Sequence, residues 1–343
     1  MFAALSTPVL TGLFLAAAVV VLIGGTRMTG MADRLADRTG LGEALVGGVL
    51  LGAATSLSGT LVSLTSALDG RASLAFSNGI GGIAAQTAFL ALADVLHREV
   101  NLEHAAADLT NVFQATFLML LLAVPAFAFT LPEVVILGMH PASIALVVLY
   151  GIGVHASRSL KRYPMWMPVQ TTATDPDAPD EPVSSDGGTW ALALRFAALV
   201  AVMGLAGVVI AKSAGILTDR LGLSASVVGA LATAVVTSLP ELVTTLAAVR
   251  RGALQLAVGG IIGGNTFDML FLTLSDAGYR EGSLYHAIGK DDLFWLFVGL
   301  LMTAVITLGQ LYRQREGPGG IGVESLAVLG IYGGAVVLQA PIL

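Results

Sequence analysis

Apolar runs of about twenty residues recur along the whole chain, separated by short polar breaks. That length is what an α-helix needs to cross the hydrocarbon core of a bilayer. Spans are predicted at about 7–25, 42–68, 73–96, 108–130, 133–155, 190–212, 223–249, 254–275, 290–312 and 321–340. Between the fifth and sixth lies the one long polar stretch, 157–189, with its TTATDPDAPDEPVSSDGG portion. Such a segment cannot bury a core and reads as a flexible linker. The pattern predicts an all-α polytopic membrane protein of about ten transmembrane helices. Residues 1–156 would form one five-helix repeat and residues 190–343 the second.

The two halves are related to each other. A gap-free shift of 182 residues pairs Asp37-Arg38 with Asp219-Arg220, Thr55-Ser56-Leu57 with Thr237-Ser238-Leu239, and Ile80-Gly81-Gly82 with Ile262-Gly263-Gly264. Gly70, Asp94 and Glu99 meet Gly252, Asp276 and Glu281 at the same offset. Apolar helices match one another by chance in Leu and Ala, but not in this series of Gly, Asp-Arg and Thr-Ser-Leu. Five is an odd number of crossings, so the copies enter the membrane from opposite sides. Inverted repeats are a secondary-transporter architecture, with the site at the repeat interface.

Composition sharpens the class. A hydrophobic fraction of 55%, a charged fraction of 12% and a mean hydropathy of +0.84 lie outside the range of soluble domains. The 41 glycines suit close helix contact in lipid. Without cysteine there is no disulfide framework and no thiolate site. The net charge of −6 matters less than where charges fall. Arg27, Arg34, Arg38, Arg98, Arg158, Lys161, Arg162, Arg250, Arg251, Arg313 and Arg315 gather on one side of the predicted layout, against Arg71, Lys212, Arg220, Arg280 and Lys290 on the other. The positive-inside rule then makes the linker cytoplasmic, puts both termini outside, and suggests the plasma (inner) membrane. The first apolar run, Pro8 to Gly25, has no charged region ahead of it and reads as a retained span rather than a signal peptide. The expected partners are the lipid bilayer and small cations. No basic patch of nucleic-acid type is present, and nothing in the sequence names a protein partner.

The chemistry gathers in Thr237–Asp268. Leu223–Val249 carries no charge except Glu241, and Ala253–Leu274 none except Asp268. A carboxylate at membrane depth costs about 2.5–3.5 kcal/mol or more unless it faces a cavity, a cation or a proton path. Pro240 removes a backbone donor, which suits a broken helix lining an ion site. Thr237 and Ser238 lie four and three positions before Glu241, and Asn265 three before Asp268, so each shares a face with its acid.

TSLPELVTTLAAVRRG followed by AVGGIIGGNTFDMLF resembles the second signature repeat of the sodium/calcium exchanger family, within the calcium/cation antiporters. The first copy, AATSLSGTLVSLTSALDG and LAFSNGIGGIAAQTAF, departs from that pattern: Ser58-Gly59 replace Pro-Glu, and Ile83 and Gln86 stand where the family has Asn. The resemblance implies a secondary-active cation antiporter rather than an enzyme, with alternating access switched by sliding of the first and sixth helices. It implies calcium exchanged for sodium or protons, no cofactor beyond the transported cations, and a site of Glu241, Asp268, Thr237, Ser238, Asn265, Thr55, Ser56, Asn78 and Gln86, with Glu241 and Asp268 as the metal-ligating acids. One expected glutamate is missing, replaced by Gly59. Ca²⁺ takes six to eight oxygens and favours formal charge. Two acids balance one divalent ion, or two monovalent ions or protons. A proton-coupled exchanger of another cation and a non-transporting sensor or partner homologue are the alternatives. The plainer role of Glu241 and Asp268 is a protonated acid bonded between helices; that of the Thr, Ser, Asn and Gln residues is packing between helices. Asp94 and Asp276 are expected at helix ends, solvated or capping, and the five histidines at span ends.

Overall fold

The computed structural model describes residues 2–39, 55–97, 100–172, 174, 189–250, 252–315 and 317–339. In lipid each backbone N–H and C=O can bond only within the protein, so the apolar runs become helices. In the first half these are α1 (Thr7–Thr39), α2 (Leu57–Leu68), α3 (Ala72–His97), α4 (Leu109–Thr130) and α5 (Pro141–Arg162). The second half has α6 (Thr189–Leu221), α7 (Ala225–Thr237), α8 (Leu239–Arg250), α9 (Leu254–Asp268), α10 (Leu270–Gly278), α11 (Lys290–Tyr312) and α12 (Val323–Gln339). No β-strand occurs among the described residues beyond one isolated bridge, Ile136 with Met139.

Seven spans among the described residues are long and apolar enough to cross a membrane, counting α9 and α10 as one, and the bent pair α7–α8 makes an eighth. The shorter apolar helices α2 and α12 stand at the second and tenth expected positions. The beginning of the second expected span, residues 42–54, lies outside the described residues. The chain is therefore an integral membrane protein of two repeated helical halves.

Two boundaries differ from the sequence pattern. α5 begins at Pro141, because residues 131–140 form a loop with Leu137 and Gly138 at φ 54° and 81°. It also runs on to Arg162, through residues expected to open the linker. Val169 and Thr171 then bond Arg313 and His104, tying the start of the linker to the helical body. Ala173 and residues 175–188 lie outside the described residues.

The offset of 182 recurs in the coordinates. Helix bounds repeat at that spacing in α1 and α6 and in α2 and α8. Left-handed backbone repeats at Gly70 and Gly252, at Leu137 and Gly319, and at Gly138 and Gly320. The two aspartates reproduce it in detail. Asp94 accepts the backbone N–H of Leu102 at 2.7 Å and of Gly322, in the opposite half, at 2.9 Å. Asp276 accepts those of Leu284 at 2.9 Å and His140, again in the opposite half, at 2.7 Å. His140 caps α5 and Gly322 immediately precedes α12, so each carboxylate sits at the positive end of a helix from the other repeat. Neither aspartate is solvated; both are buried. The equivalent pair His104 and His286 bonds the carbonyls of Arg313 and Leu131, also in opposite halves. His104 and His140 are buried rather than interfacial.

One end is more acidic than its counterpart. Near Asp94 stand Glu103 and Glu324, whereas the position equivalent to Glu103 is Tyr285, bonded to Ser143. Burial, followed by the Asp94 and Glu324 carboxylates, pushes the Glu103 carboxyl well above the usual carboxylate range. Its protonated form is the one the fold favours, so stability is fully present below the unfolded-state pKa and is lost as pH rises toward the folded one. Glu103→Gln should raise the melting temperature in detergent at neutral pH and flatten its pH dependence. Equal pH profiles would remove that role. Asp94→Ala and Asp276→Ala strand two and three buried donors and should each cost on the order of 2–5 kcal/mol. Unchanged melting would show that these caps do not hold the halves together.

Candidate cation site

The candidate site lies beside the bend of the second repeat and the equivalent stretch of the first. Ser238 separates α7 from α8 with φ −94° and ψ 3°, and the two segments meet at 47°. Ser56, before α2, has φ −79° and ψ −2°. Pro240, which suits a broken helix, lies two residues after this bend; the first repeat has Ser58 at the equivalent position, and Ser56 there has backbone dihedrals close to those of Ser238. A π-helical stretch, Val228–Thr233, leads into the bend at Ser238. Close packing holds both stretches in place. A side chain at Gly25 of α1 would overlap the Pro240 ring, and one at Gly207 of α6 would lie 2.7 Å from the Ser58 carbonyl oxygen. Gly25 and Gly207 are themselves related by the repeat.

Across this junction equivalent residues of the two repeats meet. Gln86 on α3 donates from Nε2 to Oδ2 of Asp268 at 2.7 Å, and these two positions are each other's counterparts, 182 residues apart. The same amide reaches Ser238 Oγ at 3.4 Å. Ser56, the counterpart of Ser238, stands beside Asp268 and Glu241. Thr55 stands beside Glu241, and its counterpart Thr237 is the nearest hydroxyl to the position of a side chain at Gly59, at 3.5 Å. Gly82 and Gly264, another repeated pair, leave room for the Gln86 amide: a side chain at Gly264 would approach Gln86 Oε1 at 3.6 Å. One half of this arrangement is acidic, with Glu241, Asp268, Thr55 and Ser56. The other is neutral, with Gly59, Gln86, Thr237 and Ser238.

Acceptors outnumber donors here. Glu241 is 7% exposed and Asp268 1%. Both oxygens of Glu241, Oδ1 of Asp268, Oε1 of Gln86 and Oγ of Ser56 are buried and make no well-formed hydrogen bond among the described residues, the Thr55 and Ser56 hydroxyls standing near the acids without closing one of good geometry. A buried carboxylate without a partner is destabilising by several kcal/mol, and a cation or a proton relieves it. Among the described residues no group of three His, Cys, Asp or Glu side chains could hold a metal ion, so formal charge at the site comes from two acids.

Two of the expected residues stand apart. Asn78 donates to the Gly59 carbonyl at 3.1 Å and to Ser63 at 2.9 Å, and accepts from Thr233 of the other repeat at 2.7 Å. Its amide is committed to protein, and so is the Gly59 carbonyl. Asn265 donates to Thr87 at 3.1 Å, beside Thr303 in a narrow apolar cleft, while its Oδ1 has no partner. Thr233, Thr87 and Phe271 were missed. Thr233 lies one turn before Thr237 on the same face, a signal that was available. Phe271 gave none, since aromatic residues in apolar helices are common.

The family described as "Sodium/calcium exchanger protein" matches residues 9–157 and 190–340, sparing little but the linker and the ends. The chain is 30% identical to Inner membrane protein YrbG of Escherichia coli (strain K12) over 139 residues, which are 40% of this chain and 42% of that protein. It is 32% identical to Sodium/calcium exchanger MaX1 of Methanosarcina acetivorans over 100 residues, 29% of each chain. These matches span less than half the length of either relative. Among solved structures, the sodium-calcium exchanger NCX_Mj superposes with a TM-score of 0.57 at 17% identity, covering 98% of this chain and 100% of that one. A second NCX_Mj structure gives 0.58 at 18%, covering 96% and 98%. At such identity the likeness speaks for the fold. The match across both repeats is decisive: this chain belongs to the sodium/calcium exchanger protein family.

Proposed function

We propose that the protein is a secondary-active antiporter that loads calcium at Glu241 and Asp268 and exchanges it for sodium or protons. The observation that carries this is the excess of unpartnered buried oxygens at the meeting point of the repeats, with both carboxylates in it. Family membership supports cation antiport, and an exchanger needs no cofactor beyond its cargo. Thr55 and Ser56 would add hydroxyl oxygens beside the acids, and Gln86 would hold Asp268 in place. Ca²⁺ takes six to eight oxygens, more than two carboxylates supply, so these neutral groups and water complete its shell. Thr237, Ser238 and Asn265 belong to the wider polar lining. Asn78 serves this reading by holding α2, α3 and α7 together rather than as a ligand.

Alternating access would come from α1 and α6 sliding over the bend of the second repeat and its counterpart. They meet Pro240 and Ser58 through Gly25 and Gly207, contacts without side-chain knobs. The expected orientation in the inner membrane has both termini outside and the linker cytoplasmic. Proton coupling is the second reading within this class, since two carboxylates carry two protons as readily as one divalent ion.

Flux in proteoliposomes tests the proposal. Sodium- or proton-driven ⁴⁵Ca²⁺ uptake should fall to background in Glu241→Gln, and by about tenfold or more in Asp268→Asn. No flux of any cation from folded protein would favour a non-transporting sensor or partner subunit. The absence of native cysteine makes topology directly testable. In intact cells, a membrane-impermeant maleimide should label Val135→Cys and spare Ser184→Cys; the reverse would invert the assigned orientation.

A further inference from the structure

The neutral half of the site is sealed as well as uncharged. Gly59 is the counterpart of Glu241, so a side chain at Gly59 would point where the first repeat could place its own acid. That space is occupied. A Cβ at Gly59 would lie 3.0 Å from Phe271 Cε2 and 3.5 Å from its Cζ. Phe271 also lies against Gly79, whose Cβ would be 3.5 Å from its own. Two first-repeat glycines thus form a slot for a second-repeat ring, which is 4% exposed and braced edge-on by Phe267 at 6.4 Å. The repeat does not reproduce this. The counterparts of Gly59 and Gly79 are Glu241 and Ile261, which leave no such slot, and the counterpart ring, Phe89, is only half-buried. The Gly59 carbonyl, the remaining oxygen at this position, is taken by Asn78.

We infer that Phe271 closes the site to a further acid: its ring fills the place that a glutamate at position 59 would take, so the two carboxylates of the second repeat alone set the load at one divalent or two monovalent cations. The inference rests on the antiport reading. An aromatic ring in that volume excludes both a carboxylate and the water that would hydrate an ion. Gly59→Glu alone is therefore obstructed, whereas Gly59→Glu with Phe271→Ala has room to present an acid toward Thr237. Affinity for Ca²⁺ rises with ligand charge, so the added acid should be felt strongly.

The test measures ⁴⁵Ca²⁺ and ²²Na⁺ bound per chain to purified full-length protein. Wild type and Phe271→Ala should bind one calcium or two sodium ions, lost in Glu241→Gln. G59E/F271A should bind a further cation or hold calcium about tenfold more tightly. G59E should do neither. Folded G59E/F271A with wild-type stoichiometry and affinity would overturn the inference while leaving the antiport reading intact, as would G59E gaining as much as the pair. Binding to wild type that persists in Glu241→Gln would instead overturn the site assignment, and this inference with it. Should the double variant fail to fold, melting of G59A, F271A and G59A/F271A decides. The Gly59→Ala penalty should largely vanish when Phe271 is truncated, and additive effects would show that the ring does not fill this space.

Discussion

The structure turns on two carboxylates held in its interior with no positive side chain among the described residues to balance them. Glu241 and Asp268 are buried beside the bend of the second repeat, and three of their four oxygens have no well-formed hydrogen bond among the described residues. Such a deficit is tolerable only when the surrounding framework is firm and when a proton or cation can complete it. The elements nearby answer the first need. Gly25 and Gly207 bring α1 and α6 into close contact with the bend and its counterpart, and Asn78 links α2, α3 and the other repeat.

The framework is a pseudo-two-fold whose ends are fastened by the same device. Asp94 and Asp276 each hold a backbone N–H eight residues on and another at the start of a helix from the opposite half. Because each repeat supplies the acid for one end and the helix for the other, neither half is complete by itself. The junction at the centre follows the same logic, with Gln86 bonded to its own counterpart, Asp268.

Departures from that symmetry fall at the centre and at one end. At the centre one half keeps its acid and the other exchanges it for Gly59 beneath the Phe271 ring. At one end Glu103 stands where the other end has Tyr285, giving that face a buried acidic character. The scaffold tolerates both because backbone geometry and caps, rather than these side chains, carry the repeat. Ser56 and Ser238 keep similar backbone dihedrals although only the second is followed by a proline.

Much of this was legible in the chain itself. Apolar runs of spanning length, the offset of 182 and the lone acids Glu241 and Asp268 are local facts, because the cost of burying charge in lipid applies to any fold. The place of Gln86 beside Asp268 was foreshadowed by their shared position in the two repeats. The partners of Asn78 and Asn265 were not, since an amide in an apolar helix has the same spacing whether it faces an ion or a threonine. The sequence allowed Asp94 and Asp276 a capping role but could not show that they are buried, because one partner of each lies in the opposite repeat. The role of Phe271 was the least visible. A phenylalanine one turn from Asp268 becomes significant only when tertiary packing lays it over a glycine 212 residues earlier in the chain. Sequence determined the membrane architecture, the repeat and the acids, which depend on local hydrophobicity and charge. Tertiary structure decided which oxygens remain unpartnered and which space is filled, because both depend on contacts between repeats.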